Sequence, residues 1–147
     1  MKYLFLVNPA AGKGSQRGRR NAEKHRIRME SFIEQIRNDA DRLGCEAEII
    51  QTAGSGDAER KAAAFAERTK GEPARIYACG GDGTLNEVIN GAYGYPDLEI
   101  GVFPIGTGND TIRNFQDPSG RPVAKEAFLD PARQIKGISQ PIDLLRY

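Results

Sequence analysis

Apolar side chains along the chain follow two patterns, short continuous runs and longer stretches in which they recur every three or four residues. Short runs rich in strand-forming residues are typical of β-strands. Recurrence every three or four residues is typical of helices that bury one face. The runs lie at residues 2–7, 75–79 and 98–103, and the mixed polar and apolar residues 46–51 predict a half-buried strand. Because strands that alternate with helices build a parallel sheet covered on both faces, the pattern predicts an α/β fold. We expect a three-layer α/β/α sandwich with a mainly parallel sheet.

The predicted helices have recognisable ends. The amphipathic stretch at 29–43 should end at Gly44, since glycine tolerates the left-handed backbone of a helix C-terminus. Either Ser55 or Asp57 can cap the helix that follows the second strand. A third helix should begin near Thr84 and run to Ala92, directly after the third strand.

The pattern is weaker beyond residue 110. It predicts a short helical turn at 111–115, a helix at 123–129 and another helix at 130–137 that opens with Asp-Pro and stops at glycine. A fifth strand is predicted at 138–144, and Pro141 restricts it to an edge or bulged position because proline cannot donate to the ladder.

Composition sets limits on the function. The chain has 147 residues, enough for one domain with a core, and a net charge of +1, which gives no overall attraction to nucleic acid. No apolar run is long enough to span a bilayer. Cys45 and Cys79 have no metal-ligand spacing, so we expect them to be small core residues of a cytoplasmic protein.

A Gly-Gly-Asp-Gly turn at 80–83 joins the third predicted strand to the third predicted helix. Glycine lets backbone N–H groups approach a bulky anion, and the start of a helix adds a partial positive charge. Asp82 cannot hold a phosphate by itself, but it can hold a Mg²⁺ ion that bridges to phosphates. The combination indicates a nucleotide triphosphate site, and the alternative is a structural turn with a surface aspartate.

A second glycine turn at 106–110 follows the fourth strand, which makes a chance structural turn less plausible. The loops after parallel strands meet at one edge of the sheet, where open α/β sheets bind ligands. The loop after the first strand fits neither common nucleotide motif. No glycine stands four residues before Gly12 to complete a Walker A loop, and Arg17 occupies the third glycine position of a Rossmann fingerprint.

The segment 13–28 is strongly basic. Its cations are Lys13, Arg17, Arg19, Arg20, Lys24, Arg26 and Arg28. Two interpretations stay open. The segment can be a solvated loop and helix start, or it can attract phosphates or an anionic membrane surface, which would place the protein at the inner face of the membrane. His25 has no partner in the sequence and is interpreted as a surface residue.

Taken in order, these loops resemble the diacylglycerol kinase catalytic domain, which bacterial lipid kinases share with sphingosine and ceramide kinases. The resemblance rests on Asn-Pro at 8–9, Gly-Lys-Gly at 12–14, Thr52 with Gly-Asp-Ala at 56–58, and the two glycine turns. It covers nearly the whole chain. The Gly-Gly-Asp-Gly turn is also similar to that of NAD kinases and 6-phosphofructokinases.

The resemblance implies that ATP and Mg²⁺ are bound across these loops, with Asp82 as the catalytic and metal-binding residue. The implied nucleotide-binding residues are Asn8, Gly12, Thr52, Gly80, Gly81, Asp82, Gly83, Thr84, Leu85, Asn86, Glu87, Gly106, Thr107, Gly108 and Asn109. The implied reaction is transfer of the γ-phosphoryl group of ATP to a lipid hydroxyl, most plausibly that of diacylglycerol. An NAD kinase-like enzyme and a non-catalytic nucleotide-binding module are the alternatives.

The chain differs from the family pattern in two places. Its first loop looks longer, and residues 1–147 resemble only the ATP-binding half. In the family, a β-rich second domain completes the acceptor site and supplies the base, so we expect the 147-residue chain alone to bind nucleotide weakly without turnover. Ile138, Ile142 and Leu144 should then be exposed, and such an apolar surface could pair the chain as a homodimer.

Overall fold

Four parallel strands, in the order β2–β1–β3–β4, form a single sheet in the computed structural model of the protein. The structure describes residues 1–13 and 19–142. The strands are β1 (Lys2–Val7), β2 (Glu46–Gln51), β3 (Ala74–Gly80) and β4 (Leu98–Pro104). The helices are α1 (Arg19–Arg42), α2 (Asp57–Arg68), α3 (Asp82–Ala92) and α4 (Pro131–Lys136), with 3₁₀ turns at Thr111–Asn114 and Lys125–Leu129.

The two faces of the sheet are covered by different helices, because alternate residues of each strand point to opposite sides. Leu4 and Leu6 of β1 belong to a core with Phe65 of α2 and Val88 of α3. On the other face, stacked aromatic rings of the sheet pack against α1 and α4. That second core includes Tyr3, Phe5, Val7, Met29, Ile36, Ala40, Tyr77, Phe103 and Ile135. The predicted three-layer α/β/α sandwich is confirmed.

The first helix is longer than its apolar pattern predicts. The expected end is confirmed, since Gly44 has a φ of 67° just beyond the last turn. The start, however, lies at Arg19, ten residues before Met29, the first buried residue of α1. Arg26 forms ion pairs with Glu23 and Glu30, one turn away on each side. Such pairs support exposed helical turns that have no apolar face.

The part of the chain after residue 110 differs most from expectation. The predicted helix at 123–129 is only a 3₁₀ turn, whereas α4 is confirmed, with Asp130 accepting a hydrogen bond from the Arg133 N–H. The predicted fifth strand is wrong over 138–142, which has no regular structure, and its last two residues lie outside the described ranges. The carbonyls just before it accept hydrogen bonds from Arg75 instead of a strand ladder, and Pro141 has no N–H to offer.

Both cysteines are free, and Cys79 is fully buried at the end of β3. Across residues 1–13 and 19–142, no helix is apolar enough over a sufficient length to cross a bilayer.

Candidate functional site

Three loops meet at the carboxyl edge of the sheet and enclose an open cleft of about 380 Å³. They follow β1, β3 and β4, the three strands that lie side by side at the centre and one side of the sheet. The cleft is lined by Asn8, Ala10, Ala11, Gly12, Lys13, Gly81, Asp82, Gly83, Thr84, Gly106, Thr107 and Gly108. Parallel topology brings these loops together, as the sequence predicted.

The two glycine turns touch through their backbones. The Gly106 N–H donates to the Gly80 carbonyl at 3.2 Å, and the Asp82 N–H donates to the Gly108 carbonyl at 3.1 Å. A Cβ atom on Gly106 would lie 2.6 Å from the Gly81 Cα, which real side chains do not tolerate. Glycine at these positions therefore lets two loops form one continuous floor of the cleft.

The loop after β1 forms the facing wall. The Asn8 side chain donates to Thr84 Oγ1 at 3.2 Å and accepts from the Ala10 N–H at 3.0 Å. Gly12 has a φ of 72°, and a Cβ atom there would lie 2.6 Å from the Ile105 carbonyl oxygen. Asn8 and Gly12 thus fix this wall against the loops that follow β3 and β4.

The cleft favours an anion at the start of α3. The first four N–H groups of a helix have no intrahelical partner of their own. Two of these first-turn residues, Gly83 and Thr84, line the cleft, and the exposed cation Lys13 lies on the opposite wall. Together with the partial positive charge of the helix start, they make a surface suited to phosphate oxygens.

Asp82 has two sets of neighbours. Among the described residues it is the one acidic residue that lines the cleft. Its carboxylate also accepts hydrogen bonds from the Asp110 N–H at 2.8 Å and from the Thr111 hydroxyl at 2.8 Å. The Thr111 N–H adds a third bond at 3.2 Å. These donors lower the pKa of Asp82 below its ordinary value, so the side chain is ionised at neutral pH. Asp82 therefore clamps the loop after β4 as well as facing the cleft.

Other predicted site residues lie away from the cleft. Thr52 is buried, and its N–H donates to the Val7 carbonyl at 2.9 Å at the edge of the sheet. Leu85 is 7% exposed and belongs to the core under α3. Gly80, Asn86 and Asn109 also do not line the cleft, and Asn109 donates to the Gly106 carbonyl within its own turn.

Glu87 contacts a helix rather than the cleft. Its carboxylate accepts from the Gly56 N–H at 2.9 Å and from the Ala58 N–H at 3.2 Å, at the start of α2. The cap residue of α2 is Gly56, so the prediction of a cap by Ser55 or Asp57 is wrong. Glu87 supplies the missing oxygen from the neighbouring helix.

Two contributors to the site were not recognised in the sequence. His25 was interpreted as a surface residue, yet its Nε2 lies 2.7 Å from the Pro9 carbonyl oxygen of the cleft wall. The one available signal was its place four residues before the buried Met29, on the same face of α1. Lys13 was assigned to the basic segment and to the Gly-Lys-Gly motif at 12–14, but not to the nucleotide-binding residues. Arg17 of that segment lies outside the described residues.

Comparison with known proteins agrees with this architecture. The diacylglycerol kinase catalytic domain matches residues 2–147. The diacylglycerol kinase of Bacillus subtilis is 34% identical over 142 residues, which are 95% of this chain and 40% of that protein. That of Staphylococcus haemolyticus is 37% identical over 91 residues, 61% of this chain and 27% of the relative.

A solved structure of a diacylglycerol kinase from Bacillus anthracis superposes with a TM-score of 0.61 at 25% identity, covering 91% of this chain and 41% of the other. The chain thus spans about two fifths of the length of the proteins that match it over most of its residues. With the glycine loops and the parallel sheet already in place, these matches show that the chain belongs to the diacylglycerol kinase catalytic domain family.

Proposed function

We propose that this chain is the nucleotide-binding part of an ATP-dependent lipid kinase, which transfers the γ-phosphoryl group of ATP to a lipid hydroxyl, with diacylglycerol as the acceptor. Membership of a kinase family supports phosphoryl transfer to a lipid. The observation that most supports ATP is the joined floor of the two glycine turns beneath the start of α3. The relatives described above are diacylglycerol kinases, and the NAD kinase-like alternative is not favoured.

The proposed site works by positioning and by neutralising charge, which is most of what phosphoryl transfer requires. The N–H groups of Gly83 and Thr84 would hold phosphate oxygens at the helix start. Lys13 on the opposite wall would balance a further phosphate charge. Thr107 at the tip of the second turn is exposed and can reach a nucleotide that lies across the floor.

The residues of the cleft fit a magnesium–nucleotide complex better than a free metal ion. Nowhere in residues 1–13 and 19–142 do three His, Cys, Asp or Glu side chains converge as metal ligands would. Mg²⁺ is commonly held by one or two carboxylates together with substrate phosphates and water, and Asp82 is the carboxylate available here. When bound, the ion would neutralise charge that develops on the phosphates. Asp82 would orient it while remaining bonded to Thr111.

Within residues 1–13 and 19–142, the lining of the cleft offers no strong base for the acceptor hydroxyl. Asp82 is the single carboxylate among the lining residues, and its low pKa makes it a weak base. We therefore expect the 147-residue chain to bind ATP weakly and not to turn it over. The acceptor site and base would come from the length that the relatives have beyond the matched region.

Calorimetric titration of the 147-residue chain with ATP, with and without Mg²⁺, tests the nucleotide site. We expect saturable binding of ATP, tighter with Mg²⁺, and much weaker binding of NAD. Stronger binding of NAD than ATP would overturn the proposal in favour of the alternative. Incubation with ATP, Mg²⁺ and diacylglycerol in mixed micelles tests the second expectation, since rapid turnover would mean that a base is present in this chain.

We also propose that the basic start of α1 contacts an anionic membrane. A helix of 24 residues is about 36 Å long, whereas the strands beneath it span about 20 Å. Residues 19–28 contribute no buried side chain. They hold five Arg or Lys residues and one Glu. Since the whole chain has a net charge of +1, the rest of the chain is net negative. Ile27 is 55% exposed among these cations, a combination typical of surfaces that bind membranes.

Binding to vesicles of neutral and acidic lipid tests this contact. We expect binding to acidic vesicles only, weakening as salt rises because exposed charges are screened. Replacement of Arg19, Arg20, Lys24 and Arg28 by glutamine should abolish it. The matched control replaces four exposed arginines elsewhere, Arg37, Arg42, Arg60 and Arg68, and should retain it. Equal loss in both variants would show a response to net charge and favour the solvated-helix interpretation.

A further inference from the structure

The wall of the cleft formed by residues 8–13 is held from its inner side by contacts already described. The Asn8 side chain bridges Thr84 and the Ala10 N–H, and Gly12 packs on the Ile105 carbonyl. Two turn bonds within the wall, from Ala11 to Asn8 and from Lys13 to Ala10, give it its local shape. These contacts do not explain what holds the outer side of the wall, the side turned away from the cleft.

On the outer side, the Pro9 carbonyl oxygen lies 2.7 Å from Nε2 of His25. A carbonyl oxygen can only accept, so Nε2 bears the proton and donates it, in either the neutral or the charged ring. Pro9 precedes the Ala10–Lys13 turn, so the direction of its carbonyl sets the plane in which that turn leaves β1.

His25 is the connection between the long helix and the wall. It lies four residues before Met29, the first residue that α1 buries against the sheet. Among the hydrogen bonds of residues 1–13 and 19–142, the His25–Pro9 contact is the one that joins α1 to the wall. The imidazole is half-buried, so water competes with it only partly.

We propose that His25 is a positioning residue for nucleotide binding, which holds the 8–13 wall at the distance from the start of α3 that a triphosphate requires. The inference rests on the proposed ATP site, and it assigns a role to a residue that would not touch the nucleotide. The N–H groups of Ala10, Ala11 and Lys13 are already bonded to Asn8 and Ala10 within the wall. The wall would therefore act through its shape and through the Gly12 N–H, and that shape would persist only while the Pro9 carbonyl is bonded to His25. Loss of the donor would leave that carbonyl free to rotate, at a cost in nucleotide affinity.

The test compares three variants with matched purposes. His25→Phe keeps a ring but removes the donor, and His25→Gln keeps an N–H donor of similar reach. Ser31→Gln changes an exposed residue of α1 outside the basic segment. Amide hydrogen exchange of residues 10–13 is measured without nucleotide, and the Kd for ATP is measured by titration. Thermal unfolding midpoints identify any variant that is not folded, and His25→Ala replaces His25→Phe if the larger ring prevents folding.

We expect His25→Phe to exchange the 10–13 amides about five- to tenfold faster and to bind ATP about five- to tenfold more weakly, the effect of one hydrogen bond. His25→Gln should restore both, and Ser31→Gln should change neither. Unchanged exchange in His25→Phe would overturn the inference, as would equal defects in His25→Phe and His25→Gln. If the unchanged chain binds no ATP, the proposed function fails, and the exchange experiment still decides whether His25 holds the wall.

Discussion

At the scale of single residues, the floor of the cleft depends on glycines, which have no Cβ atom to keep the two turns apart. A Cβ atom on Gly106 would lie 2.6 Å from the Gly81 Cα, and a Cβ atom on Gly81 would lie 2.9 Å from the Gly108 carbonyl oxygen, so neither glycine has room for a methyl group. Gly108, in the same turn, has no heavy atom within 4 Å of the position a Cβ would take. The same turn therefore contains one glycine that the packing requires and one that it does not.

Gly106→Ala should destabilise the protein and weaken ATP binding, because its Cβ would push against the backbone of the opposite turn. We expect a loss of about 1–3 kcal/mol in the free energy of unfolding, typical of a forced overpacking. Gly108→Ala is the matched control and should change that free energy by less than about 0.5 kcal/mol. Urea denaturation measures the free energy of unfolding of both variants. Equal losses would show that the contact between the two glycine turns does not explain the destabilisation of Gly106→Ala.

Asp82 combines an observed structural contact with the proposed role in binding Mg²⁺. Its carboxylate binds the loop after β4 and also faces the cleft, so a simple substitution removes both roles. The two roles separate at Thr111, whose hydroxyl contributes to the clamp without adding charge to the cleft.

Asp82→Asn should remove the Mg²⁺-dependent part of the ATP affinity, about tenfold or more, since a contact to a charged group contributes roughly 1.5–3 kcal/mol. Thr111→Val removes one donor of the clamp, retains the Asp82 charge and should keep the dependence on Mg²⁺. Titrations with ATP in Mg²⁺ and in EDTA make the comparison. If both variants lose the dependence equally, Asp82 acts as a clamp and not as a metal ligand.

At the scale of elements, α2 is held at its start by groups outside its own first turn. Glu87 of α3 accepts two of its N–H groups, and Asp57 accepts from the Ala53 N–H in the loop before it. Asp57 also binds the side chains of Lys61 and Arg60, one turn along the helix. The loop that contains Thr52 is thus fixed between two helices.

These partners predict an acid-sensitive element. Lys61, the Ala53 N–H and Arg60 hold the pKa of Asp57 far below its ordinary range. A lowered pKa in the folded state stabilises the protein above the unfolded value of about 4, and this stabilisation is lost as pH falls through the folded value. The difference in thermal unfolding midpoint between the wild type and Asp57→Asn should therefore be constant above about pH 5 and shrink below about pH 4.

Thermal unfolding measured from pH 7 to pH 2 tests this expectation. Asp41→Asn is the control, because Asp41 is exposed and its carboxylate makes no hydrogen bond to the residues described. A midpoint difference for Asp57→Asn that stays the same down to pH 2 would contradict the assigned partners.

At the scale of the whole molecule, a buried arginine joins the sheet to the last helix. The Arg75 side chain is 8% exposed and forms an ion pair with Glu99 of β4. It also donates to Tyr77 Oη at 3.0 Å and to the carbonyls of Gln134 and Gly137, each at 2.9 Å. This network lies near the amino end of the strands, away from the cleft.

Arg75→Gln should lower the free energy of unfolding by about 3–5 kcal/mol, because it leaves Glu99 and the Gly137 carbonyl without their partner. The Gln134 carbonyl would keep the Tyr77 hydroxyl as its donor. Arg37→Gln removes an exposed ion pair with Glu34 and should cost less than about 1 kcal/mol. Chemical denaturation compares the two, and ATP affinity of the folded Arg75 variant should be unchanged. A weaker ATP affinity in an Arg75 variant that is fully folded would show that the amino edge of the sheet affects nucleotide binding at the carboxyl edge.

The elements and the edge at which the loops meet follow from the sequence because both depend on local rules. Alternation and helical spacing extend over a few residues, and the strands at 2–7 and 46–51 were predicted with their observed bounds. Parallel order then brings the loops to one rim without knowledge of any contact. The glycine turns were recognisable for the same reason, as each is a single short stretch.

Only the tertiary structure decided which groups meet between elements that are distant along the chain. The Asp82 clamp joins residues 28 and 29 positions apart, Glu87 reaches back 29 and 31 positions to α2, and Arg75 reaches 59 and 62 positions to the last helix. Such pairs depend on the order β2–β1–β3–β4 and on how far each helix extends, which no local pattern encodes. The prediction of a fifth strand was wrong for this reason. The carbonyls of Gln134 and Gly137, just before the predicted strand, accept hydrogen bonds from the buried Arg75 guanidinium instead of pairing with a neighbouring strand.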